Sequence, residues 1–517
     1  MIRALRNLGR VIRIGRTLAR HDALFPLDGA GLPPYLVRGL KLLAGPPGRL
    51  PGELRPGQRL AAALQELGPS FIKFGQALST RPDVAGDAIA ADLGELRDQL
   101  PPFAADAARQ IVETEFDRPL DEMYARFDDQ PLAAASIAQV HMAETSDGAL
   151  VAVKVLRPGI EQAFQRDLEL FYWLAEMVES FQPDFRRLRP VEVVHTFNDT
   201  VDLELDLRLE AAAASELAEN FEGDESFRVP QVDWSRTERR VLTLERIEGI
   251  PIDDIEALKA AGHDLDAVAA KVLLAFLRQA FRDGFFHADL HQGNLFVDPD
   301  GNIIAVDFGI MGRLDRRTRR YVAEVLLAFL TGEYRRAAEV HFEAGYVPMH
   351  KSLDLFTQAC RSIGEPIQGR PLNEISIARL LAQLFRITET FAMQTQPQLL
   401  LLQKTMVVAE GVCRNLGPGA NFWEIAKPFL ADWVKQNLGP EAAVHDTVDE
   451  AAATMRQIPG LMEKAQFAAS ALTPRGLRLH PDSERAIAYQ AARRRGLVPM
   501  LLFAVAVGLV LLLAAKM

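Results

Sequence analysis

Residues His287 to Gly309 read HADLHQGNLFVDPDGNIIAVDFG. The turn sequence DPDG separates two apolar runs, LFV and IIAV, and this pattern is typical of a β-hairpin. In a hairpin, the residue before the first strand and the residue after the second lie side by side at the open end. The pattern therefore predicts that Asn294 and Asp307 converge, although they are far apart in sequence.

Carboxylate and amide oxygens suit a magnesium ion, whose usual companion is a nucleotide phosphate. Asp289 lies on the loop that leads into the hairpin and is expected to reach the same space. The segment HADLH also resembles a zinc-hydrolase fragment, and zinc stays an alternative, although the 10 histidines form no second cluster. We interpret His287 as a structural residue that bonds backbone or orients Asp307, and His291 as an exposed side chain.

Lys154 stands in the apolar strand LVAVKVL, where alternation gives it the same face as Ala152 and Leu156. An ammonium in that place needs an anion, because a buried charge without a partner costs several kcal/mol. A phosphate with a supporting carboxylate would satisfy it. The small residues of the preceding segment let a turn approach a ligand closely, although they also fit an ordinary small-residue turn.

Several motifs in the chain together resemble the protein-kinase signature set: VAVK ending at Lys154, DLxxxN from Asp289 to Asn294, and DFG from Asp307. The resemblance is closer to the UbiB family of atypical kinase-like ATPases, which is tied to ubiquinone biosynthesis. That family's marks stand here as KFGQ from Lys73, AAAS from Ala133, the ExD motif from Glu204, and HADLHxGN. The resemblance extends from about residue 68 to about residue 418.

The resemblance implies a role for each matched position. Lys154 would contact the α- and β-phosphates and pair with Glu210, Asp289 would occupy the catalytic-base position, and Asn294 and Asp307 would hold Mg²⁺. Lys73 and Gln76, on one helix face, would fold over the active site as catalytic residues with Glu204 and Asp206 as partners. Glu245 and Ile247 would form the hinge that meets adenine. The nucleotide loop would comprise Leu132, Ala133, Ala134, Ala135, Ser136, Ile137, Ala138, Gln139 and Val140.

The sequence departs from the protein-kinase pattern at two places and from the UbiB pattern at one. Alanines replace the glycines of the nucleotide loop, so the backbone cannot approach phosphates in the same way. No APE sequence follows DFG, and a platform for an extended peptide is therefore not expected. Gln292 replaces the proline expected in the HPGN sequence of the UbiB family, a loop change that should leave the ligands untouched.

The predicted fold class is α+β, a kinase-like bilobed fold with a helical N-terminal extension and a C-terminal transmembrane helix. We expect helices from Arg59 to about Phe127, two strands ending near Ala143 and Leu156, helices from Glu161 to Asn220, and a strand pair around RRVLTLERI, from Arg239 to Ile247. The predicted divisions are a basic amphipathic segment (1–30), a helical extension with the KxGQ motif (31–127), an N-lobe (128–249), a helical C-lobe (250–440), a linker (441–495) and a membrane anchor (496–515).

The net charge of −11 and a pI near 5.5 argue against nucleic acid as a partner, because phosphate-backbone binding calls for a basic face. Cys360 and Cys413 are the two cysteines of the chain and are far apart, so neither a disulfide framework nor a zinc site is indicated. A reducing cytosolic environment fits this cysteine usage.

The C-terminal segment Gly496 to Ala515 contains 20 residues without a charge, which is long enough to cross a bilayer. Three arginines precede it, so the positive-inside bias predicts a tail anchor in a bacterial inner membrane with the catalytic domain in the cytoplasm. A buried terminal helix is the alternative, and since family members often end with two spans, the topology of the tail stays open. The six arginines of residues 1–20 form a helical stripe that suits an anionic membrane surface, an organelle transit peptide or a helix packed on the domain.

We therefore expect a membrane-anchored, Mg²⁺- and ATP-dependent kinase-like ATPase or phosphotransferase that supports and regulates ubiquinone biosynthesis. Expected partners are ATP and ADP, membrane lipid, prenylated quinone precursors, other ubiquinone-biosynthesis proteins and a second copy of the chain. Ordinary protein phosphorylation is the second enzymatic option. A non-catalytic scaffold switched by bound nucleotide is an alternative of a different class.

Overall fold

The computed structural model describes residues 2–25, 54–79, 85–94, 100–181, 189–365, 396–417 and 422–438, with several isolated positions between them and two short strands near residue 475. Contacts divide the chain into two compact units, Met1–Lys435 and Gln436–Met517. In the second unit, the described strands β12 (Leu472–Thr473) and β13 (Gly476–Leu477) pair antiparallel.

The N-terminal extension is helical, as the sequence predicts. Its helices are α1 (Ile2–Arg20), α2 (Pro56–Leu67), α3 (Pro69–Ser79), α4 (Asp87–Gly94), α5 (Ala105–Phe116) and the single turn α6 (Leu120–Met123). Proline opens both α2 and α3, where its missing N–H costs no hydrogen bond. Gly68 separates these two helices with a φ of +109°, which a residue with a side chain rarely adopts.

Helix α1 contacts the rest of its unit through two of its arginines. Arg10 pairs with Asp167, and Arg20 pairs with Glu66 at 2.5 Å, so both side chains are satisfied within the domain. The contacts of these two arginines are those expected for a helix packed on the domain. Membrane contact by the remainder of the basic segment stays a prediction.

A five-stranded antiparallel sheet follows the extension, with the order β1-β3-β4-β6 and β2 paired to β3. Its strands are β1 (Tyr124–Phe127), β2 (Ala133–Ala134), β3 (Ala138–Thr145), β4 (Leu150–Leu156) and β6 (Val241–Glu245). The β3–β4 hairpin confirms the predicted strands. Two predictions here were wrong: residues 124–127 form a strand instead of extending the helical region, and residues 239–247 contain one strand, because its partner across the sheet is β4.

Three helices cover one side of this sheet: α7 (Ile160–Phe181), α8 (Pro190–Glu204) and α9 (Leu207–Asn220). Their buried apolar residues join those of α2, α3 and α4 in one core, with Phe164 and Leu207 almost fully buried. The side chain of Asp206 accepts from the Arg208 N–H and caps α9, which satisfies one of the unpaired donors at the helix start.

A four-stranded sheet with the order β5-β10-β9-β7 opens the second lobe. Its strands are β5 (Phe227–Arg228), β7 (Ile250–Pro251), β9 (Leu295–Val297) and β10 (Ile303–Ala305). Strands β9 and β10 form the predicted hairpin, and the turn residue Asp298 accepts from the N–H groups of Asp300 and Asn302. The β8 (Phe285–His287) and β11 (Met311–Arg313) strands pair beside it.

The remaining elements of this lobe are helical, as expected. They are α10 (Ile255–Ala260), α11 (Leu265–Leu277), a π-helical segment (Arg278–Asp283), α12 (Arg316–Thr331), α13 (Tyr334–Glu343), α14 (Leu353–Gly364), α15 (Pro397–Leu416) and α16 (Phe422–Leu438). Helices α11 and α15 pack together, and the largest core formed by the described residues lies around them and the β9–β10 hairpin. The kinase-like α+β prediction agrees with this arrangement.

None of the helices in the described part of the chain combines the length and apolarity that a bilayer span requires. The anchor predicted at residues 496–515 lies outside the described residues.

Candidate functional site

Lys154 lies in the middle of the five-stranded sheet, where β4 pairs with β3 on one side and β6 on the other. Strand alternation buries Val153 and Val155 in the core and puts Lys154 on the opposite face. Its ammonium donates to Oε1 and Oε2 of Glu210, at 2.8 and 2.9 Å, and to Oδ1 of Asp307 at 3.0 Å. The predicted Lys154–Glu210 pair is present, and Asp307 joins it from the other lobe.

The charges in this cluster shift one another's ionisation. Burial would lower the pKa of Lys154, but the carboxylates of Asp307 and Glu210 outweigh it and raise that pKa. The Lys154 charge in turn holds the pKa of Asp307 well below its usual range, with a smaller contribution from Lys73. The Asp307 side chain is 53% exposed, so solvent screens part of this attraction. Asp307 is therefore ionised at neutral pH, as a cation ligand must be.

Asp307 follows strand β10 in an unusual backbone conformation. Its φ of +63° lies in the left-handed region, which aspartate tolerates better than most residues with a side chain. The Val306 N–H donates to the Asn294 carbonyl at 2.9 Å, so the open end of the hairpin brings Asn294 beside the residue that precedes Asp307. The Asn294 amide nitrogen donates to the Asp289 carbonyl at 3.1 Å, which directs the amide oxygen elsewhere, as a cation ligand requires.

His287 is buried and bonded to backbone on both ring nitrogens. The Asp289 N–H donates to Nδ1 at 3.1 Å, and Nε2 donates to the Val306 carbonyl at 3.1 Å, a pattern that only the neutral ring can make. Burial lowers the pKa of His287 and favours that neutral form. The backbone N–H of His287 donates to Oε1 of Gln279, in the π-helical segment, at 2.9 Å. The backbone-bonding interpretation of His287 is therefore confirmed.

The zinc alternative finds no support in this geometry. Over the ranges that the structure describes, no three or more His, Cys, Asp or Glu side chains come together as a metal site would need. His291 is 52% exposed, as expected, and its Nδ1 accepts from the Gly293 N–H.

Asp289 has a neighbour that the sequence did not lead us to expect. Its Oδ1 accepts from Lys404 of α15 at 3.1 Å, while its Oδ2 lies 3.7 Å from Nε2 of His291. The next residue along α15, Thr405, donates to the Ala288 carbonyl at 3.2 Å. One signal could have drawn attention to Lys404, since it is the one charged residue in PQLLLLQKTMVV, residues 397–408.

Helix α3 carries the two residues predicted to cover the site from the extension. Lys73 pairs with Glu204 at 2.8 Å, and both side chains are largely buried. Gln76 follows one turn later on the same helix and is half-buried. The other predicted partner, Asp206, caps α9 and pairs with Arg208 at 2.7 Å.

The alanine-rich segment from Ala133 to Ala138 forms a tight turn that hydrogen bonds hold in place. Strand β2 pairs with β3, and the Ala135 N–H donates to the Ala138 carbonyl at 2.8 Å. The guanidinium of Arg157 donates to the Ala135 carbonyl and to the carbonyl of Pro101, at 2.8 and 2.9 Å, and so fastens the turn to the extension.

The predicted nucleotide-loop residues differ in their surroundings. Val140 pairs with Lys154 across β3 and β4, whereas the neighbouring Gln139 has the opposite orientation and bonds the Phe103 backbone and His141. Because successive residues of a strand alternate between its two faces, the Gln139 side chain lies on the face of the sheet opposite to Lys154 and makes its hydrogen bonds there. Ser136, Ile137 and Ala138 are buried, and Leu132 is 66% exposed.

The predicted hinge residues lie at the end of β6 and just beyond it. Glu245 is the last residue of that strand, and its side chain pairs with Arg228 and accepts from the Gln231 N–H at 3.2 Å. Ile247 lies in the connection between β6 and β7. The Glu245 side chain is therefore engaged within the protein, and an adenine contact by this segment stays a prediction.

The donor set of the cluster fits a magnesium–nucleotide group. Asp307 and Asn294 provide carboxylate and amide oxygens, the ligand type that Mg²⁺ prefers. Lys154 provides a cation fixed by Glu210, as a phosphate contact requires. Lys154, Asp307 and Asn294 would hold the group, and Mg²⁺ would neutralise the charge of its phosphates when bound.

Two family models match this chain. The model described as ABC1 atypical kinase-like domain matches residues 95–341, and the UbiB helical domain matches residues 360–421. The first match contains Lys154, Glu210, Asp289 and Asp307, and the second contains Lys404.

Named relatives and solved structures also match this chain. The Marinobacter nauticus protein named "Probable protein kinase UbiB" is 42% identical over 462 residues, which cover 88% of this chain and 83% of that protein. The Vibrio parahaemolyticus protein of the same name is 45% identical over 412 residues, covering 79% and 76% of the two chains. The Rv3197–erythromycin complex from Mycobacterium tuberculosis is 26% identical with a TM-score of 0.47, covering 71% of this chain and 94% of that one.

Proposed function

The chain belongs to the UbiB family of atypical kinase-like proteins, and on that premise we propose that it is a magnesium-dependent ATPase or phosphotransferase that supports and regulates ubiquinone biosynthesis. One observation carries the proposal: the ammonium of Lys154 is held between Glu210 and Asp307 at 2.8 and 3.0 Å. This cluster joins the five-stranded sheet to the hairpin loop of the second lobe, which is where a nucleotide lies in a kinase-like fold.

Each residue of the site has a defined part in this proposal. Lys154 contacts the inner phosphates and Glu210 fixes its position. Asp289 accepts the proton of the attacking hydroxyl group, which belongs to water or to a small or lipid-associated acceptor. Asn294 and Asp307 hold Mg²⁺, which supplies charge neutralisation at the phosphates.

The segment after DFG argues for a small acceptor over an extended peptide. Strand β11 begins two residues after Gly309, and α12 begins at Arg316. This short connection leaves little chain for the platform on which protein kinases bind peptide substrates. Protein phosphorylation is therefore the second enzymatic option, and a peptide library with labelled ATP tests it directly.

Phosphate release by the full-length protein in lipid vesicles tests the proposed chemistry. Wild type should release phosphate from Mg-ATP, and Asp289→Asn should lower that rate at least about 100-fold while nucleotide binding changes little. Asp300→Asn, at the exposed tip of the same hairpin, is the matched control and should behave as wild type. Turnover by Asp289→Asn at the wild-type rate would rule out the base assignment. Nucleotide binding without turnover in wild type would favour the non-catalytic, nucleotide-switched scaffold.

Deletion of the gene in its own bacterium tests the pathway. We expect lower ubiquinone and accumulation of a prenylated precursor, restored by the wild-type gene and not by Lys154→Met. Unchanged quinone content in the deletion strain would contradict the role in ubiquinone biosynthesis.

We also propose that the protein acts at the bacterial inner membrane. The support is the uncharged segment from Gly496 to Ala515 and the arginines directly before it, which favour a cytoplasmic catalytic domain. Fractionation of the wild type and of a chain ending at residue 495 tests this. The truncated chain should leave the membrane fraction, and its full retention there would contradict the anchor.

A further inference from the structure

Helix α15 is docked directly on the loop that carries Asp289. Thr405 is fully buried and donates to the Ala288 carbonyl at 3.2 Å, and Lys404 donates to Oδ1 of Asp289 at 3.1 Å. Two successive residues of the helix therefore contact two successive residues of the loop. Leu402 and Met406, on either side of Lys404, are buried in the main core, so the backbone that carries the lysine is firmly held.

Stability does not account for a lysine at this position. The Lys404 side chain is 42% exposed, and ion pairs with this much solvent around them stabilise a fold very little. Its neighbours along the helix are apolar or uncharged from Pro397 to Val408. Between residues 397 and 408 the helix carries one charged residue, Lys404, and places it against Asp289, the carboxylate at the base position. This location fits a role in the reaction.

We propose that Lys404 binds the terminal phosphoryl group of ATP and stabilises its charge during transfer, an inference that rests on the proposed function. The attacking hydroxyl group must lie between Asp289 and the terminal phosphorus, so a cation that touches Asp289 also reaches the oxygens of that phosphoryl group. Lys154 is already committed to Glu210 and Asp307 on the inner-phosphate side. Lys404 supplies the second cation on the outer side.

The reaction step balances without any further reagent. The oxygen of water or of the acceptor forms a bond to the terminal phosphorus, and the bond from that phosphorus to the bridging oxygen breaks. ADP leaves with the electron pair of the broken bond, and the proton of the attacking hydroxyl group passes to Asp289. The Lys404 ammonium stabilises the charge on the oxygens of the transferring group, as preorganised cations do in phosphoryl transfer.

The test compares three full-length variants with wild type in the same vesicles. Lys404→Met removes the charge at similar volume, Lys404→Arg keeps it, and Lys427→Met removes an exposed charge from the neighbouring helix α16 as a control. The readouts are calorimetric Kd values for ATP and ADP with Mg²⁺, kcat for phosphate release, and the thermal midpoint of unfolding.

For Lys404→Met we expect kcat to fall about 100-fold. ATP binding should weaken about 5- to 10-fold and ADP binding less than about 2-fold, because ADP lacks the terminal phosphate. Lys404→Arg should recover most of the loss, Lys427→Met should match wild type, and the midpoint of unfolding should stay within a degree or two for all variants.

The same data separate the two proposals. If wild type hydrolyses ATP and Lys404→Met does so equally fast, or if that variant loses ATP and ADP binding to the same extent, the role of Lys404 is wrong and the proposed function stands. If Lys404→Arg is as impaired as Lys404→Met, charge is not what the position needs and the inference also fails. If wild type binds no nucleotide, the proposed function and this inference fail together.

Discussion

Two lysine–glutamate pairs of equal length lie near the predicted nucleotide site, and they differ in what surrounds them. Lys154 pairs with Glu210 and Lys73 pairs with Glu204, each at 2.8 Å and each largely buried. The Lys154 pair includes a second carboxylate, Asp307, from the other lobe. The Lys73 pair joins the extension helix α3 to the end of α8.

The difference teaches that distance and burial alone do not define what an ion pair does. The Lys154 pair belongs to a three-residue cluster that connects the sheet to the DFG segment, and its second carboxylate is half exposed and able to take a metal ion. The Lys73 pair holds one helix of the extension against another element. We therefore expect the first pair to matter for both stability and nucleotide binding, and the second chiefly for the attachment of the extension.

The largest expected effect is that of Lys154→Met. The variant leaves Glu210 buried without its cation, and we expect a loss of about 3–5 kcal/mol in the free energy of unfolding, with nucleotide binding abolished. Urea unfolding followed by circular dichroism, and calorimetry with Mg-ATP, measure the two effects. The double variant Lys154→Met/Glu210→Gln should recover about half of the stability and none of the binding. Recovery of both would show that Lys154 only neutralises Glu210.

Breaking the second pair should cost less. Glu204→Gln removes the partner of Lys73, which is still within the influence of the Asp307 carboxylate, so we expect a loss of about 1–2 kcal/mol in the free energy of unfolding. Glu192→Gln is the matched control, because Glu192 lies on the same helix in a largely exposed pair with Arg189. That control should cost less than about 0.5 kcal/mol. Equal costs for the two variants would remove the distinction between a buried and a surface pair.

The sequence predicts those features of the two sites that depend on local signals. The turn residues Asp298 to Gly301 predict the β9–β10 hairpin, and strand alternation predicts that Lys154 lies on the face opposite to Val153 and Val155. The Lys154–Glu210 contact joins residues 56 apart, and resemblance to a family, not periodicity, indicated it. Local patterns give the direction of a side chain but not its distant partner.

What the sequence could not predict depends on tertiary packing. Lys404 lies 115 residues from Asp289, and the apolar pattern of α15 indicates burial without indicating which loop it covers. The left-handed φ of Asp307 is set by its surroundings, since aspartate adopts several backbone conformations. The sequence predicts a strand pair around residues 239–247, but the structure has the single strand Val241–Glu245. Its partner is β4, about 90 residues earlier, and no local pattern indicates so distant a pairing.

The pH dependence of stability tests the role of Asp307, the second carboxylate of the Lys154 cluster. The folded pKa of Asp307 is lower than the unfolded value of about 3.9, so its stabilisation is complete above about pH 5 and is lost as the pH falls through 3.9 toward the folded value. Asp307→Asn lacks this contribution at every pH. Because the side chain is half exposed, we expect wild type to exceed the variant by about 1 kcal/mol at pH 6, and the gap to shrink below pH 4. Urea unfolding at several pH values measures it, and a gap that stays constant down to pH 3.5 would contradict the cluster's electrostatics.

The smallest expected effect concerns the link between the two pairs. The charge of Lys73 helps to lower the pKa of Asp307, although Lys73 is paired with Glu204. A double-mutant cycle with Lys73→Met and Asp307→Asn should therefore give a coupling of about 0.5 kcal/mol in the free energy of unfolding. The same cycle with the exposed Lys427→Met should give none. A coupling of zero in the first cycle would mean that the extension and the Lys154 cluster are energetically independent. A measurable coupling would mean that a ligand which neutralises Asp307 also changes how strongly Lys73 stabilises the attachment of the extension.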